Sequence, residues 1–262
     1  MPDSPAYVIL GRGRWAKIIR DILTAEGRRV TILEETRRAA SESEMDYRAR
    51  LSERLHASSS QIAWLAVHPG PHVPPMLEAV LDAGLHSIVE KPWWYSPAQS
   101  ASLGNLAHSK SLVVGVHFEY CLLDQIESWR ESFGGGVGLT FGGSFRLSRT
   151  VDAAIPAVDN LGCHLFAIRE YAVARAAVGS IACSYGQSDE RRVRLEEDGK
   201  EIAAIDFFGN RERIIQRYIA RFEAAVGSTS RSFAFDLGFA ARVAEAVSAW
   251  RGPANNRSPD PA

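Results

Sequence analysis

Gly11, Gly13 and Ala16 form G-x-G-x-x-A within VILGRGRWA, directly after a short apolar run, and the acidic Glu34 follows 23 positions after Gly11. This spacing suits the cradling of a pyrophosphate. The first glycine permits a tight turn, the second lets the backbone approach the phosphates, and a helix starting at Arg14 and Trp15 offers unpaired N–H groups to negative charge. Glu34 would accept hydrogen bonds from a ribose diol and repel a 2′-phosphate, which favours NAD, whereas Arg12, Arg37 and Arg38 are close enough in sequence to admit NADP. Arg37 and Arg38 read equally well as a solvated helix start. A second stretch, DNLGCH (Asp159 to His164), poses two readings of His164: a proton-transfer residue, or a packed histidine near the start of an apolar helix.

Other chemistries find no support. His68 and His72 are a close histidine pair, but HPGPH is a proline-constrained loop rather than a helical ligand face, so no metal is expected. No G-x-S-x-G elbow for a triad hydrolase occurs. A net charge of -1, with arginines scattered among acids, excludes a nucleic-acid surface and suits a small-molecule substrate. Cys121, Cys163 and Cys183 are too few and too spread for a disulfide framework. With no basic leader and no apolar run of membrane-spanning length, the expectation is a cytoplasmic protein with no membrane partner.

The elements that must position these groups are α/β in pattern. Tyr7 to Leu10 reads as a strand, Trp15 to Leu23 as a helix ended by Gly27, and Arg29 to Leu33 as a strand closing on Glu34 and Glu35. IAWLAV (Ile62 to Val67), Ser87 to Val89 and LVVGV (Leu112 to Val116) are further strands, with a helix over Met76 to Ala83. Continuous apolar strands alternating with helices predict a parallel sheet buried on both faces. This Rossmann-type domain is expected over 1–118. A smaller α+β domain with an open, mostly antiparallel sheet is expected over 119–250, from GLTFGGSFRLSR, VGSIACSY, RVRLEE and AAIDFF. It contains helices at Leu161 to Ala177 and Phe235 to Trp250. The tail over 251–262, rich in Pro, Asn and charge, is expected to be disordered.

Three stretches taken in order, VILGRGRWA, WLAVHPGPHVPPMLEAVLDAGLHSIVEKP and DNLGCH, resemble the Gfo/Idh/MocA oxidoreductases, named for glucose-fructose oxidoreductase, inositol dehydrogenase and rhizopine catabolism. The resemblance is specific over residues 7 to 120 and looser beyond, where RYIARFEAAVGS and DLGFAARVAEAVSAW look like the family's late helices. It implies a Rossmann domain followed by an α/β domain that shapes the substrate site and often builds a homodimer or homotetramer. The family's EKP motif stands here as Glu90, Lys91 and Pro92. The resemblance implies that His68, Pro69, Glu90 and Lys91 line the cofactor, with Lys91 beside the nicotinamide and the reacting oxygen. A lysine beyond the end of a parallel strand is well placed for this, and its cation can polarise a carbonyl or hold a hydroxyl.

The family's D-x-G-x-H signature falls on Asn160 to His164, so the resemblance makes His164 the residue that exchanges the hydroxyl proton during hydride transfer. Asn160 departs from it. An amide cannot act as a base, though it can orient a substrate hydroxyl, and Asp159 sits one position off the motif. Glu119 stands where members commonly carry an Arg before the aromatic Tyr120, which predicts altered substrate recognition. His117 and Tyr120 either line the substrate or pack at the domain junction; Trp93 and its neighbour Trp94 form either an aromatic wall or hydrophobic packing. The second domain looks short for the family. These readings converge on an NAD(P)-dependent oxidoreductase moving hydride between nicotinamide and a hydroxyl or carbonyl carbon of a sugar, sugar nucleotide, cyclitol or related molecule. The alternatives are a dinucleotide-binding protein without redox turnover (a sensor, partner subunit or non-redox reuse of the fold) and an imine reductase.

Overall fold

Tyr7–Leu10 (β1) is buried along its whole length, as a strand covered on both faces must be. The glycine turn follows, and α1 (Arg14–Ala25) lays Ala16, Ile19 and Leu23 on one buried stripe. The computed structural model describes residues 4–34, 36–148, 155–186, 189–207 and 213–251. After β2 (Val30–Leu33) an exposed loop carries Arg37 and Arg38, so these two are not the start of a helix. The helix α2 (Glu44–Ala57) begins later, where the Ser43 hydroxyl accepts from the Asp46 N–H and acids occupy the first turn. Then come β3 (Ile62–Leu65), α3 (Val73–Asp82), β4 (His86–Val89), α4 (Pro97–Ser109) and β5 (Val114–Val116). All five strands pair in parallel in the order β2-β1-β3-β4-β5. The order reverses at β1, and ligands of such sheets bind beyond the strand ends at that switch point.

The later elements are α5 (Asp124–Ser132), β6 (Thr140–Leu147), a π-helical turn over Val158–Gly162 that runs into α6 (Cys163–Ala172), β7 (Ala177–Tyr185), β8 (Glu190–Glu197), β9 (Lys200–Asp206), α7 (Ile214–Gly227) and α8 (Leu237–Trp250). A second sheet has the order β7-β6-β8-β9, with β6 and β7 parallel and the other pairs antiparallel. It is therefore mixed and mostly antiparallel. Gly143 lets α6 approach β6 closely: a Cβ there would fall 2.7 Å from Leu165 Cδ2. The helix expected to reach Ala177 ends at Ala172 instead. Val173 leaves helical geometry, and the Arg169 guanidinium donates to the Ala176 carbonyl from Nε and Nη2, fixing the turn into β7.

The chain divides into two compact units, 1–117 with 218–241 and 118–217 with 242–262. Residues 218–241 thus group with the parallel sheet rather than with the rest of 119–250. Gly115 explains why: a Cβ there would lie 2.6 Å from the Phe233 ring and 2.8 Å from the Tyr218 hydroxyl, so its absence lets both rings pack on β5. The Val116 N–H also donates to the Phe235 carbonyl at 2.8 Å. Glu223 ties α7 to the other side of the sheet order, accepting from the Tyr7 hydroxyl at 2.7 Å and from Arg28 Nε at 2.6 Å. Among the described residues no helix is long and apolar enough to cross a membrane. The expectation of a disordered tail falls, beyond Arg251, outside the described residues.

Candidate functional site

In the first unit the candidate groups stand just beyond the strand ends. Gly11 follows β1 with φ of +133°, and a Cβ on it would sit 2.4 Å from the Ala66 carbonyl oxygen. Only glycine fits there. Gly13 has an ordinary φ of −71° and caps α1, yet a Cβ built on it meets nothing within 4 Å. The constraint on Gly13 is therefore not internal packing. The space before it faces a helix start with no acidic residue in its first turn and no side-chain cap, leaving Arg14, Trp15 and Ala16 at an uncapped positive end. Arg12 and Arg14 are exposed, and Glu34 is exposed one residue past β2. This cradle fits a dinucleotide: backbone N–H groups for the phosphates, and a carboxylate at the neighbouring strand end for a ribose.

Beyond β3, His68 is exposed with Nδ1 2.8 Å from the Pro69 carbonyl, and Tyr95 donates to the Gly70 carbonyl at 2.7 Å. Burial lowers the pKa of His72 below the ordinary histidine value, against a smaller upward pull from its hydrogen bond with the His68 backbone. Beyond β4 come Glu90 and the half-buried Lys91, whose peptide to Pro92 is cis. Glu90 is turned inward. Its Oε1 accepts from the Trp64 indole N–H at 2.8 Å and lies 3.1 Å from His117 Nδ1, and its side chain is 9% exposed. Burial alone would raise this carboxyl, but the His117 ring and the hydrogen bonds from His117 and Trp64 outweigh it and hold the pKa below the usual carboxylate range. An ionised carboxylate only accepts, so His117 carries a proton on Nδ1. His117 is fully buried, edge-on to Trp64 at 5.1 Å and to Tyr218 at 4.7 Å. Trp93 is buried too, donating its indole N–H to Ser100 Oγ at 2.8 Å and packing edge-on to Tyr95, while Trp94 is exposed.

In the second unit the centre is aromatic. Tyr120, in a short 3-10 turn over Glu119–Leu122, meets His164 edge-on at 4.7 Å, Phe207 at 5.3 Å and Phe145 at 5.7 Å. Arg191 donates to its hydroxyl from β8. Burial first, then the Glu119 charge, push the Tyr120 phenol up to about 12 against the pull of Arg191. Glu119 itself is buried. The π-helical turn brings Asn160 and His164 to one buried region, where Asn160 Nδ2 donates to the Tyr185 hydroxyl at 2.8 Å. Asp159, beside it, pairs with Arg251. The structure thus groups Tyr120, Glu119, Asn160 and His164 within one unit, and Gly11, Gly13, Glu34, Glu90, Lys91 and His117 within the other.

Sequence reasoning missed the residues that hold these groups. Trp64 hides in an apolar strand, although a buried indole N–H usually finds an acceptor. Tyr185, Arg191 and Phe145 come from three separate strands and Phe207 from the turn after a fourth, and no local pattern links them to Tyr120 or Asn160. Among the described residues no group of three or more His, Cys, Asp or Glu is arranged to hold a metal.

By sequence, no protein-family model and no curated protein matches the chain. By structure, it is similar to the UDP-N-acetylglucosamine 3-dehydrogenase GnnA from Acidithiobacillus ferrooxidans, at 15% identity and a TM-score of 0.77, over 94% of this chain and 96% of that one. The WlbA dehydrogenase from Thermus thermophilus, in complex with NAD and UDP-GlcNAcA, matches at 15% identity and a TM-score of 0.70 over 95% of each chain. An inositol dehydrogenase homolog from Azotobacter vinelandii, complexed with NADH and myo-inositol, matches at 14% identity and a TM-score of 0.70 over 94% of each. The chain has the fold that its resemblance to the Gfo/Idh/MocA oxidoreductases implied.

Proposed function

We propose that the protein is an NAD-dependent oxidoreductase acting on a hydroxyl or carbonyl carbon of a sugar, sugar nucleotide, cyclitol or related small molecule. The observation that carries this reading is the Gly11–Gly13 turn. Gly11 is required by the fold, whereas Gly13 is followed by open space at an uncapped helix start, as a bound pyrophosphate demands. Support for the substrate class comes from the fold, shared with dehydrogenases crystallised with NAD and with sugar-nucleotide or cyclitol ligands. NAD, when bound, supplies the hydride acceptor or donor. The chain's own residues bind and orient: Gly13 and the α1 N-terminus hold the phosphates, Glu34 accepts from the ribose, and Lys91 holds the reacting oxygen. His164 takes up or returns the hydroxyl proton.

Glu34 favours NAD over NADP because its exposed carboxylate would repel a 2′-phosphate. Tyr120, Glu119 and Asn160 shape the substrate side in this reading. A homodimer or homotetramer follows in this reading from the resemblance to the family, and a cytoplasmic location from three cysteines too few and too spread for a disulfide framework. Calorimetric titration with NAD, NADH, NADP and NADPH tests the proposal. Binding of the NAD pair, weakened selectively by Glu34→Ala, is the expected result. No binding at about millimolar dinucleotide, a free energy weaker than roughly 4 kcal/mol, would overturn it.

A further inference from the structure

Glu90 precedes the lysine to which the proposed chemistry assigns the reacting oxygen, yet its own carboxylate is engaged on the inside of the sheet. The strand register explains how. Val89 pairs with Val116 and Leu65 with Val89, so Glu90 and His117 are the next rung of the β4–β5 ladder. The ladder does continue, because the His117 N–H donates to the Val89 carbonyl at 2.9 Å and the Glu90 N–H to the Leu65 carbonyl at 3.3 Å. Trp64 lies two residues before Ala66, on the same face, since side chains repeat every second residue. Three adjacent strands therefore each send one side chain to a single carboxylate oxygen: Glu90 itself from the end of β4, Trp64 from β3 at 2.8 Å, and His117 from the end of β5 at 3.1 Å. Trp15 and Tyr218 close this cluster from α1 and α7, at ring separations of 6.1 Å and 4.7 Å from His117.

We infer that Glu90 and His117 are a positioning pair that binds no ligand: joined by Trp64, they clamp the ends of β3, β4 and β5 and so fix the backbone from which Lys91 departs. A carboxylate that accepts from two strand neighbours in the interior cannot also turn outward without leaving both donors buried and unsatisfied. This reassigns Glu90, which the resemblance placed at the cofactor, and takes the packing reading of His117 over the substrate one. What Lys91 does rests on the function proposed above; how it is held does not.

The chain contains four lysines, Lys17, Lys91, Lys110 and Lys200, so Lys91 can be watched directly. Reductive methylation of the intact protein with 13C-formaldehyde gives each lysine a resolved NMR signal, and Lys91→Arg identifies the one of interest. In Glu90→Ala and His117→Ala the Lys91 signal should move and broaden while the other three stay in place. Glu90→Gln, which still accepts from Trp64 and His117, should restore the wild-type signal. An unmoved Lys91 signal in both alanine variants, with melting temperatures showing that they fold, would overturn the clamp. A glutamine variant as displaced as the alanine one would overturn it too, by showing that charge rather than the tether matters. Should the alanine variants fail to fold, Trp64→Phe removes one donor while keeping an aromatic ring, and the same signal should shift in the same direction by less; no shift would sink the idea. Adding NAD to the wild-type protein separates this from the functional reading. A Lys91 signal indifferent to NAD would count against the dinucleotide site and leave the clamp standing.

Discussion

The two sheets specify their candidate groups in opposite ways. In the first unit, the backbone does the work: a glycine at φ of +133°, a helix start without a cap, and strand ends in register place Gly11, Gly13, Glu34 and Lys91 by chain geometry alone. In the second, side chains place one another. Tyr120 depends on Arg191 and Phe145, from β8 and β6, and on Phe207 just past β9, and Asn160 depends on Tyr185 from β7. Backbone-specified sites tolerate little local change and keep their chemistry generic, which suits a cofactor common to many reactions. Side-chain sites can be re-cut one residue at a time, which suits a substrate pocket.

The largest test of this division is catalytic. Once a substrate is identified from a polyol and sugar-nucleotide screen, Lys91→Ala and His164→Ala should each lower kcat/KM by about 100-fold or more while NAD affinity is retained. Full activity in either variant removes that residue from the mechanism. Next comes one glycine from each sheet. Gly11→Ala drives a Cβ to 2.4 Å from a backbone carbonyl at a positive φ, and should cost about 3 kcal/mol in denaturant unfolding. Gly143→Ala meets first the far end of the Leu165 side chain at 2.7 Å, which can give way, and should cost about 1 kcal/mol. Gly13→Ala should leave the unfolding midpoint unchanged, since a Cβ there meets nothing within 4 Å, but weaken NAD by roughly tenfold or more if the proposed pyrophosphate site lies there.

The same contrast decides what the sequence made legible. The parallel sheet was readable because its signals are local: YVIL, IAWL and VGV are continuous apolar strands, and the glycine spacing is a requirement of one turn. The inward turn of Glu90 was not readable, since it depends on Trp64 and His117, 26 and 27 residues away in the chain. Nor was the allegiance of 218–241, because the cause is a missing side chain at Gly115, more than a hundred positions earlier. In the second unit the strands showed through, but not the cluster. Arg191 reads in sequence as one more charge in ERRVRLEE, and nothing local distinguishes it from the exposed Arg192 beside it.

Acid sensitivity should trace to the first unit. Burial, then the charge of Arg231, depress the pKa of His86 from 6.5 to about 4, and its Nδ1 accepts from the Val113 N–H at 2.9 Å. The folded state therefore keeps His86 neutral while the unfolded chain takes up a proton below 6.5. The stabilisation is complete above pH 6.5 and is lost as the pH falls toward 4, by about 2 kcal/mol after allowance for partial solvation. His86→Gln should flatten that part of the unfolding profile, and an unchanged slope would reject the assignment.

The smallest effect should come from the second unit. Tyr185→Phe removes the acceptor of the buried Asn160 amide without changing ring volume much, so the cost is that of one unsatisfied donor, about 1 kcal/mol in denaturant unfolding. The change should fall on the π-helical turn that carries Asn160 toward His164, so the substrate KM should rise while NAD affinity stays fixed. If NAD affinity fell instead, the division between a backbone-specified cofactor site and a side-chain-specified substrate site would be wrong. A residue on the second sheet would then be shaping the dinucleotide cradle, and the two units would have to be treated as a single energetic system.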